Sequence, residues 1–196
     1  MFGDPFINSK KWTVFANIES YTKIVLGSTP NTKNPQYWDG DLPWITPAEL
    51  TDDSFFINDS LRHITDKGAK AAKLTKMPKG TVIFSTRAPI GKTAITASDM
   101  YCNQGFKNFI CKDGLNNVYL YYCLRYNKEQ LQKLGTGTTF KELSKKVVSA
   151  LKIAIPPLEL QNKFENIFYQ ADKSKFELKK SIESIDKVIK SLINNQ

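Results

Sequence analysis

The residues with the clearest chemistry lie in one loop, Gly135-Thr-Gly-Thr-Thr-Phe-Lys-Glu-Leu-Ser-Lys-Lys146. Glycine opens the backbone and threonine adds hydroxyls, so the N–H groups and side chains of Thr136, Thr138 and Thr139 suit phosphate oxygens. Lys141, Lys145 and Lys146 follow, and spacings of four and five residues would put them near one side of a helix. Two other segments offer contacts to base edges. Asn103-Gln-Gly-Phe-Lys107 carries two amides, Asn103 and Gln104, able to pair bidentately with adenine, next to a glycine that permits close approach and ahead of the cation Lys107. Ser85-Thr-Arg-Ala-Pro-Ile-Gly91 carries Arg87, whose planar fork fits O6 and N7 of guanine, and Lys92 comes next. Each residue taken singly is equally at home in an ordinary turn or on a surface. Together they point to recognition of double-stranded DNA.

Catalytic patterns are imitated but not completed. Gly135-Thr-Gly-Thr-Thr-Phe140 lacks the third glycine of a dinucleotide loop, and no Gly-Lys-Ser/Thr follows to make a phosphate-binding P-loop. Asp41-Leu-Pro-Trp44 is similar to the Asp/Asn-Pro-Pro-aromatic motif of amino-methyltransferases. It has Leu in place of the first proline and no glycine-rich cofactor loop, so core packing accounts better for Trp44. His63 is the only histidine, with no marked nucleophile or carboxylate to complete a triad, and reads as a surface or hydrogen-bonded residue. Glu142 and Lys145 lack the acidic pair of a metal nuclease. We therefore expect no catalytic residue and no metal site.

The elements that position these residues must come from 196 residues, room for one ordinary domain and a large accessory element. Apolar residues make up 41% and aromatics 12%, which is enough to build a core and argues against wholesale disorder. Residues 157–196 hold seven lysines and six acids, so nearly all of the +9 net charge falls on residues 1–156. There Lys67, Lys70, Lys73, Lys76, Lys79, Arg87 and Lys92 follow one another with no acid between them. Such a face attracts a polyanion through its long-range field and counterion release, although a solvated basic surface would read the same. No apolar run reaches membrane-spanning length, and the N-terminus has no signal-peptide pattern. Cys102, Cys111 and Cys123 form no C-x-x-C pair and read as reduced, mostly buried thiols, so the expected compartment is the cytoplasm.

Prolines and glycine make residues 27–35 a loop. Leu42–Pro47 reads as a short strand, with a brief helix opening at Ala48. Ile64–Lys73 reads as a helix capped near Thr65 or Asp66. Gly80–Thr86 is a strand by its β-branched and aromatic content, with Lys92–Thr96 and Lys107–Cys111 as neighbours. Val118 to Leu134 reads as one helix with an aromatic face, residues 140–150 as the start of a short helix, and Leu151–Ile155 as a last strand. Strands with scattered short helices indicate an α+β fold, with a globular domain over residues 1–155.

Residues 156–196 form the second unit. Pro156-Pro-Leu-Glu-Leu-Gln161 stops the chain, and a heptad pattern begins. Phe164, Ala171, Leu178, Ile185 and Leu192 share one heptad position. Ile167, Ser174, Ser181 and Val188 share the partner position, and Phe168, Ile182 and Ile189 add an edge. This is the seam of a coiled-coil-type helix, and its stripe needs another helix, most simply one from a second copy.

Taken in order, several segments resemble the specificity subunits of type I restriction–modification systems. They are Leu-Gly-Ser-Thr-Pro (26–30), Tyr-Trp-Asp-Gly (37–40), Pro-Trp-Ile-Thr-Pro-Ala-Glu-Leu (43–50), Pro-Lys-Gly-Thr-Val (78–82), Ser-Thr-Arg-Ala-Pro-Ile-Gly (85–91) and Asn-Gln-Gly-Phe-Lys (103–107). Gly-Thr-Gly-Thr-Thr-Phe-Lys-Glu-Leu-Ser (135–144) and Pro-Pro-Leu-Glu-Leu-Gln (156–161) complete the set, which spans nearly the whole chain. The resemblance implies a non-catalytic target recognition domain followed by a spacer helix. It implies methyltransferase partners that use S-adenosylmethionine to modify adenine N6, and a restriction/motor subunit that uses ATP and Mg. None of these cofactors would be bound by this chain.

Typical members of that family carry two recognition domains and two long helices, and this chain shows one of each, as a half-subunit would. Two copies pairing their helices antiparallel would read an interrupted palindrome. Other readings remain: a truncated or silent recognition cassette, an inhibitory coiled-coil interaction protein, or a stand-alone nuclease or methyltransferase.

Overall fold

The computed structural model describes residues 1–137 and 141–194. Among the described residues, ten strands and five α-helices follow in the order β1 (Phe15–Asn17), β2 (Thr22–Leu26), β3 (Trp38–Ile45), β4 (Phe56–Ile57), β5 (His63–Ile64), α1 (Asp66–Ala71), β6 (Val82–Phe84), β7 (Thr93–Thr96), β8 (Tyr101–Cys102), β9 (Lys107–Cys111), α2 (Asn117–Tyr126), α3 (Lys128–Lys133), α4 (Lys145–Ser149), β10 (Lys152–Ala154) and α5 (Leu158–Asn194). Helices and sheets mix without a βαβ repeat, so the α+β expectation holds. The chain divides into two compact units, Met1–Leu158 and Glu159–Gln196.

The first unit is organised by a five-stranded sheet in the order β2-β9-β6-β7-β4, antiparallel except where β4 runs parallel to β7. Its centre is β6, buried on both faces, as its continuous apolar run Val-Ile-Phe requires. Alternation places Ile83 on one face, in a core with Val25, Ile45, Leu50, Met77, Met100 and Phe106. Val82 and Phe84 take the other face, where Phe84 meets Phe109 and α2 covers β6 and β7. Each such side chain removed from water contributes about 1.5–3 kcal/mol before entropy is counted. A smaller sheet, β5-β3-β8, carries a second cluster of Trp38, Trp44, Ile64 and Ala69. A third pairing, β1 with β10, joins the N-terminal segment to the last strand, and Tyr119 Oη on α2 donates to the Ala154 carbonyl there (2.7 Å).

Local chemistry explains the helix boundaries. The Thr65 hydroxyl accepts from the Gly68 amide to start α1, and the Asn116 side chain accepts from the amides of Val118 and Tyr119 to start α2. The single helix expected from Val118 to Leu134 is two. Asn127 ends α2 and begins α3 with non-helical backbone angles, its buried side-chain amide donating to the Cys123 carbonyl (3.0 Å). The expected helix over residues 140–150 shortens to α4, whose N-cap is Ser144. Lys141 therefore precedes the helix and does not share its face with Lys145 and Lys146. Thr22–Leu26 is a strand that no sequence motif marks; its burial does not alternate, and its five-residue antiparallel pairing with β9 is what defines it.

In the second unit α5 runs 37 residues, about 55 Å at 1.5 Å per residue. Ile167, Leu178, Ile182, Ile185, Val188 and Ile189 are all exposed on it, so the heptad stripe is present and uncovered at these positions, while Phe168 is half-buried. Ser174 and Ser181 turn their hydroxyls back to the carbonyls of Gln170 and Glu177, leaving small, polar-satisfied surfaces in the stripe. Ala171 is exposed as well, and Phe164 is half-buried. Leu192 lies within α5, but its side chain is outside the described residues. Among the described residues no helix is long and apolar enough to cross a membrane.

Candidate nucleic-acid interface

The three motif segments singled out by their chemistry converge. Residues 85–92 form a tight hairpin between β6 and β7, closed around Ser85. The Ser85 amide donates to the Lys92 carbonyl (2.8 Å), the Gly91 amide donates to the Ser85 carbonyl (3.0 Å), and the Ser85 hydroxyl donates to the Pro89 carbonyl (2.7 Å). Arg87, Ala88 and Pro89 stand exposed at its tip, and the Ala88–Pro89 bond is cis. Next to it runs the 103–107 segment, where the Gly105 carbonyl accepts from the Thr86 amide (2.8 Å) and Ser85 bridges Phe106. On the other side lies the stretch after the Gly-Thr loop, with the Leu143 amide donating to the Thr86 carbonyl (2.9 Å). Thr136 and Glu142 exchange two backbone hydrogen bonds (2.9 and 3.1 Å). Gly135 lies close under the hairpin, where an added Cβ would come within 2.9 Å of Ile90 Cδ1.

Glu142 ties the three segments together electrostatically. One carboxylate oxygen accepts from Lys107 Nζ (2.7 Å) and the other from Arg87 Nε (3.0 Å). The Lys107 side chain is only 8% exposed, so its charge needs this partner. The hydrogen bond from Lys107 holds the Glu142 carboxyl below the usual carboxylate range, against a partial burial that acts the other way, and Arg87 adds to the lowering. Two cations and one acid leave a net positive charge, and it faces water at Arg87, 48% exposed. In the sequence Glu142 draws notice only as a nuclease residue lacking its acidic partner. An acid set among the lysines of the Gly-Thr loop was the available signal.

The remaining surface is built by two tryptophans. Trp44 Nε1 donates to the Ser28 carbonyl (3.0 Å) and Trp38 Nε1 to the Asn31 carbonyl (3.2 Å), so the two indoles fasten the 27–35 loop from below. The rings meet edge to face at 5.1 Å, and the Arg62 guanidinium stacks 3.7 Å from the Trp38 centroid. That loop in turn abuts the 103–107 segment. The Ser28 amide donates to the Cys102 carbonyl (3.1 Å), and the Thr29 hydroxyl donates to Gln104 Oε1 (2.6 Å). Packing and hydrogen bonding thus account for Trp44. His63 Nε2 lies 2.8 Å from Asp59 at the surface.

The predicted contact residues sort by placement. Arg87, Gln104, Thr136, Lys141, Lys145 and Lys146 are exposed. Asn103 is half-buried, its Oδ1 accepting from the Gly105 amide (2.9 Å), which shapes the turn. Lys92 is half-buried with Nζ 3.4 Å from the Pro47 carbonyl. Lys107 is buried against Glu142 and braces the loop from inside. Thr138 and Thr139 lie outside the described residues. The three cysteines are free, and burial pushes each thiol up to about 12, so none is a nucleophile at neutral pH.

This arrangement can present one exposed guanidinium and one exposed amide on segments hydrogen-bonded to one another from behind, with three exposed lysines following in the chain. The family model described as type I restriction modification DNA specificity domain matches residues 9–187. The type I restriction enzyme MjaIX specificity subunit of Methanocaldococcus jannaschii is 37% identical over 189 residues, covering 95% of this chain and 44% of that protein. The HindI specificity subunit of Haemophilus influenzae is 24% identical over 181 residues, covering 89% of this chain and 39% of that protein. The HsdS subunit of Thermoanaerobacter tengcongensis superposes with a TM-score of 0.62 at 20% identity, over 82% of this chain and 37% of that one, which shows a shared fold. The chain spans less than half the length of these relatives.

Proposed function

The chain belongs to the type I restriction modification DNA specificity domain family, and from that premise we propose that its first unit reads one half of a bipartite DNA target. It does so for methyltransferase and restriction/motor subunits that carry the chemistry. S-adenosylmethionine, ATP and Mg belong to those partners in this reading, and the chain itself supplies recognition and spacing.

The observation that carries the proposal is the convergence at Glu142. Three segments far apart in sequence are locked into one rigid edge, with Arg87 and Gln104 exposed on it and Lys141, Lys145 and Lys146 nearby in the chain. Rigid backbone behind exposed polar tips is what base readout needs, because each bidentate contact is lost by small displacements. The lysines supply the sequence-independent attraction to phosphates. The uncovered stripe of α5 supports pairing with a like helix, most simply from a second copy. Two identical domains related by a two-fold axis would read an interrupted palindrome whose spacer is set by the helix pair.

The test is to co-express the chain with its methyltransferase partner and map modified adenines across the host genome. A single interrupted motif, absent when the chain is omitted, is the expected result. Modification that does not depend on the chain would overturn the reading.

A further inference from the structure

Behind the hairpin that carries Arg87 lies a polar cleft of about 180 Å³ lined by Thr51, Asp52, Gly91, Lys92, Arg125 and Lys128. Three cations converge on it from three elements. Lys92 comes from the end of the hairpin, Arg125 from the last turn of α2 and Lys128 from the first turn of α3. Arg125 and Lys128 are three residues apart on either side of Asn127, a spacing that keeps them on one side of the chain. Gly91, with φ +98°, lets the hairpin backbone close on the Lys128 stem, since an added Cβ would stand 2.6 Å from Lys128 Cγ.

The cations and acids of this cleft are placed unequally. The cation side chains form its walls, Lys128 at 30% and Arg125 at 38% exposure, and Lys92 is half-buried. The acids stand at the rim. Asp52 is 73% exposed while it contacts Lys128 (2.6 Å), and Asp53 is fully exposed with a carboxylate 3.8 Å from Arg125. Lys128 first, then Lys92 and Arg125, hold the Asp52 carboxyl below its ordinary range, so all three fields reach one point. Exposed carboxylates are weakly held and screened, and an incoming oxyanion displaces them at little cost.

We propose that this cleft is an oxyanion subsite that takes a phosphate of the DNA backbone, next to the base-reading tip of the same hairpin. Arg125 and Lys128 are its positioning cations, with Asp52 as the resident counter-ion that the phosphate replaces. The assignment to DNA rests on the function proposed above. The oxyanion chemistry itself does not, because inorganic phosphate has the same shape and charge.

Inorganic phosphate, followed by amide NMR shifts, and a random-sequence duplex, followed by salt-dependent binding, test the two layers separately. Phosphate is expected to shift the amides of Gly91, Lys92 and Thr93. Arg125→Gln should weaken it severalfold, and Asp52→Asn should tighten it by roughly three- to tenfold, since a competing charge is removed. The gain on Asp52→Asn is a sign that a merely structural ion pair would not give, and an exposed Asp→Asn change leaves the fold intact. For the duplex, Arg125→Gln is expected to reduce the salt slope by about one. No phosphate shift at these amides, or weaker phosphate binding by Asp52→Asn, overturns the subsite even if the duplex still binds. Phosphate behaving as expected while duplex affinity and salt slope stay unchanged in Arg125→Gln overturns the DNA assignment and leaves a site for free phosphate.

Discussion

Lys107 Nζ and Glu142 Oε1 lie 2.7 Å apart, and the lysine side chain is 8% exposed. A buried ammonium is tolerated only with a charged partner, so the position of Glu142, and with it the base of the Gly-Thr loop, is bound to a strand of the central sheet. The second carboxylate oxygen passes the restraint on to Arg87. A lysine that resembles a DNA contact in sequence is in the fold the anchor of Glu142 and, through it, of Arg87.

Glu142→Ala should destabilise the first unit by about 2 kcal/mol. Breaking a fully buried pair costs about 3–5 kcal/mol, and the 36% exposure of the Glu142 side chain reduces that through solvent screening. Urea unfolding measures it. A loss below a few tenths of a kcal/mol would show that Lys107 is stabilised by other means.

The same pair predicts a pH dependence. The Glu142 carboxyl is lowered in the folded state, so its contribution is fully present above its unfolded value of 4.5 and is lost as pH falls through the lower folded value. The stability difference between the native chain and Glu142→Gln should be constant near neutrality and shrink as pH falls below about 4.5. A difference that grows in acid would contradict the assignment.

On DNA, Arg87→Ala and Gln104→Ala should each lower discrimination between target and random duplex, by about 1–3 kcal/mol where a bidentate contact is lost. Lys145→Ala and Lys146→Ala should weaken both duplexes alike and lower the salt slope by about one each. Lys107→Met should leave the slope unchanged. Competition binding at several salt concentrations separates these outcomes, and intact discrimination in Arg87→Ala would remove its base-reading role.

Gly27→Ala probes the junction of the 27–35 loop with the 103–107 segment. A Cβ there would fall 1.9 Å from the Asn103 carbonyl oxygen and 2.5 Å from that of Cys102, both backbone atoms that cannot swing aside. A loss of about 3 kcal/mol is expected, the upper end for overpacking, or roughly 6–12 °C in Tm for a unit of this size. Scanning calorimetry would detect it, and an unchanged Tm would mean that the two loops part readily.

On α5, Leu178→Glu or Ile185→Glu should abolish self-association. Placing a charge in an apolar seam costs about 3 kcal/mol per helix pair, near a hundredfold in Kd. Analytical ultracentrifugation should show dimer for the native chain at micromolar concentration and monomer for either variant. A monomeric native chain would remove the homodimer reading.

Local sequence determined much of this protein. The double proline, the heptad stripe of α5, the buried strands β6, β7 and β9, and the caps of α1 and α2 all follow from interactions within a few residues, where side-chain type and spacing decide the outcome. The motif order pointed to the family for the same reason, since each motif shapes its own turn. Tertiary structure alone decided the rest. β4, β5 and β8 are two residues long and exist only because a partner strand is there. Glu142 meets Lys107 and Arg87 across 35 and 55 residues of chain, and Lys92 shares one cleft with Arg125 and Lys128 from distant parts of the chain. Whether a basic side chain faces a ligand or braces the loop beneath it depends on which charge the fold brings within about 4 Å. Residue type carries no record of that distance.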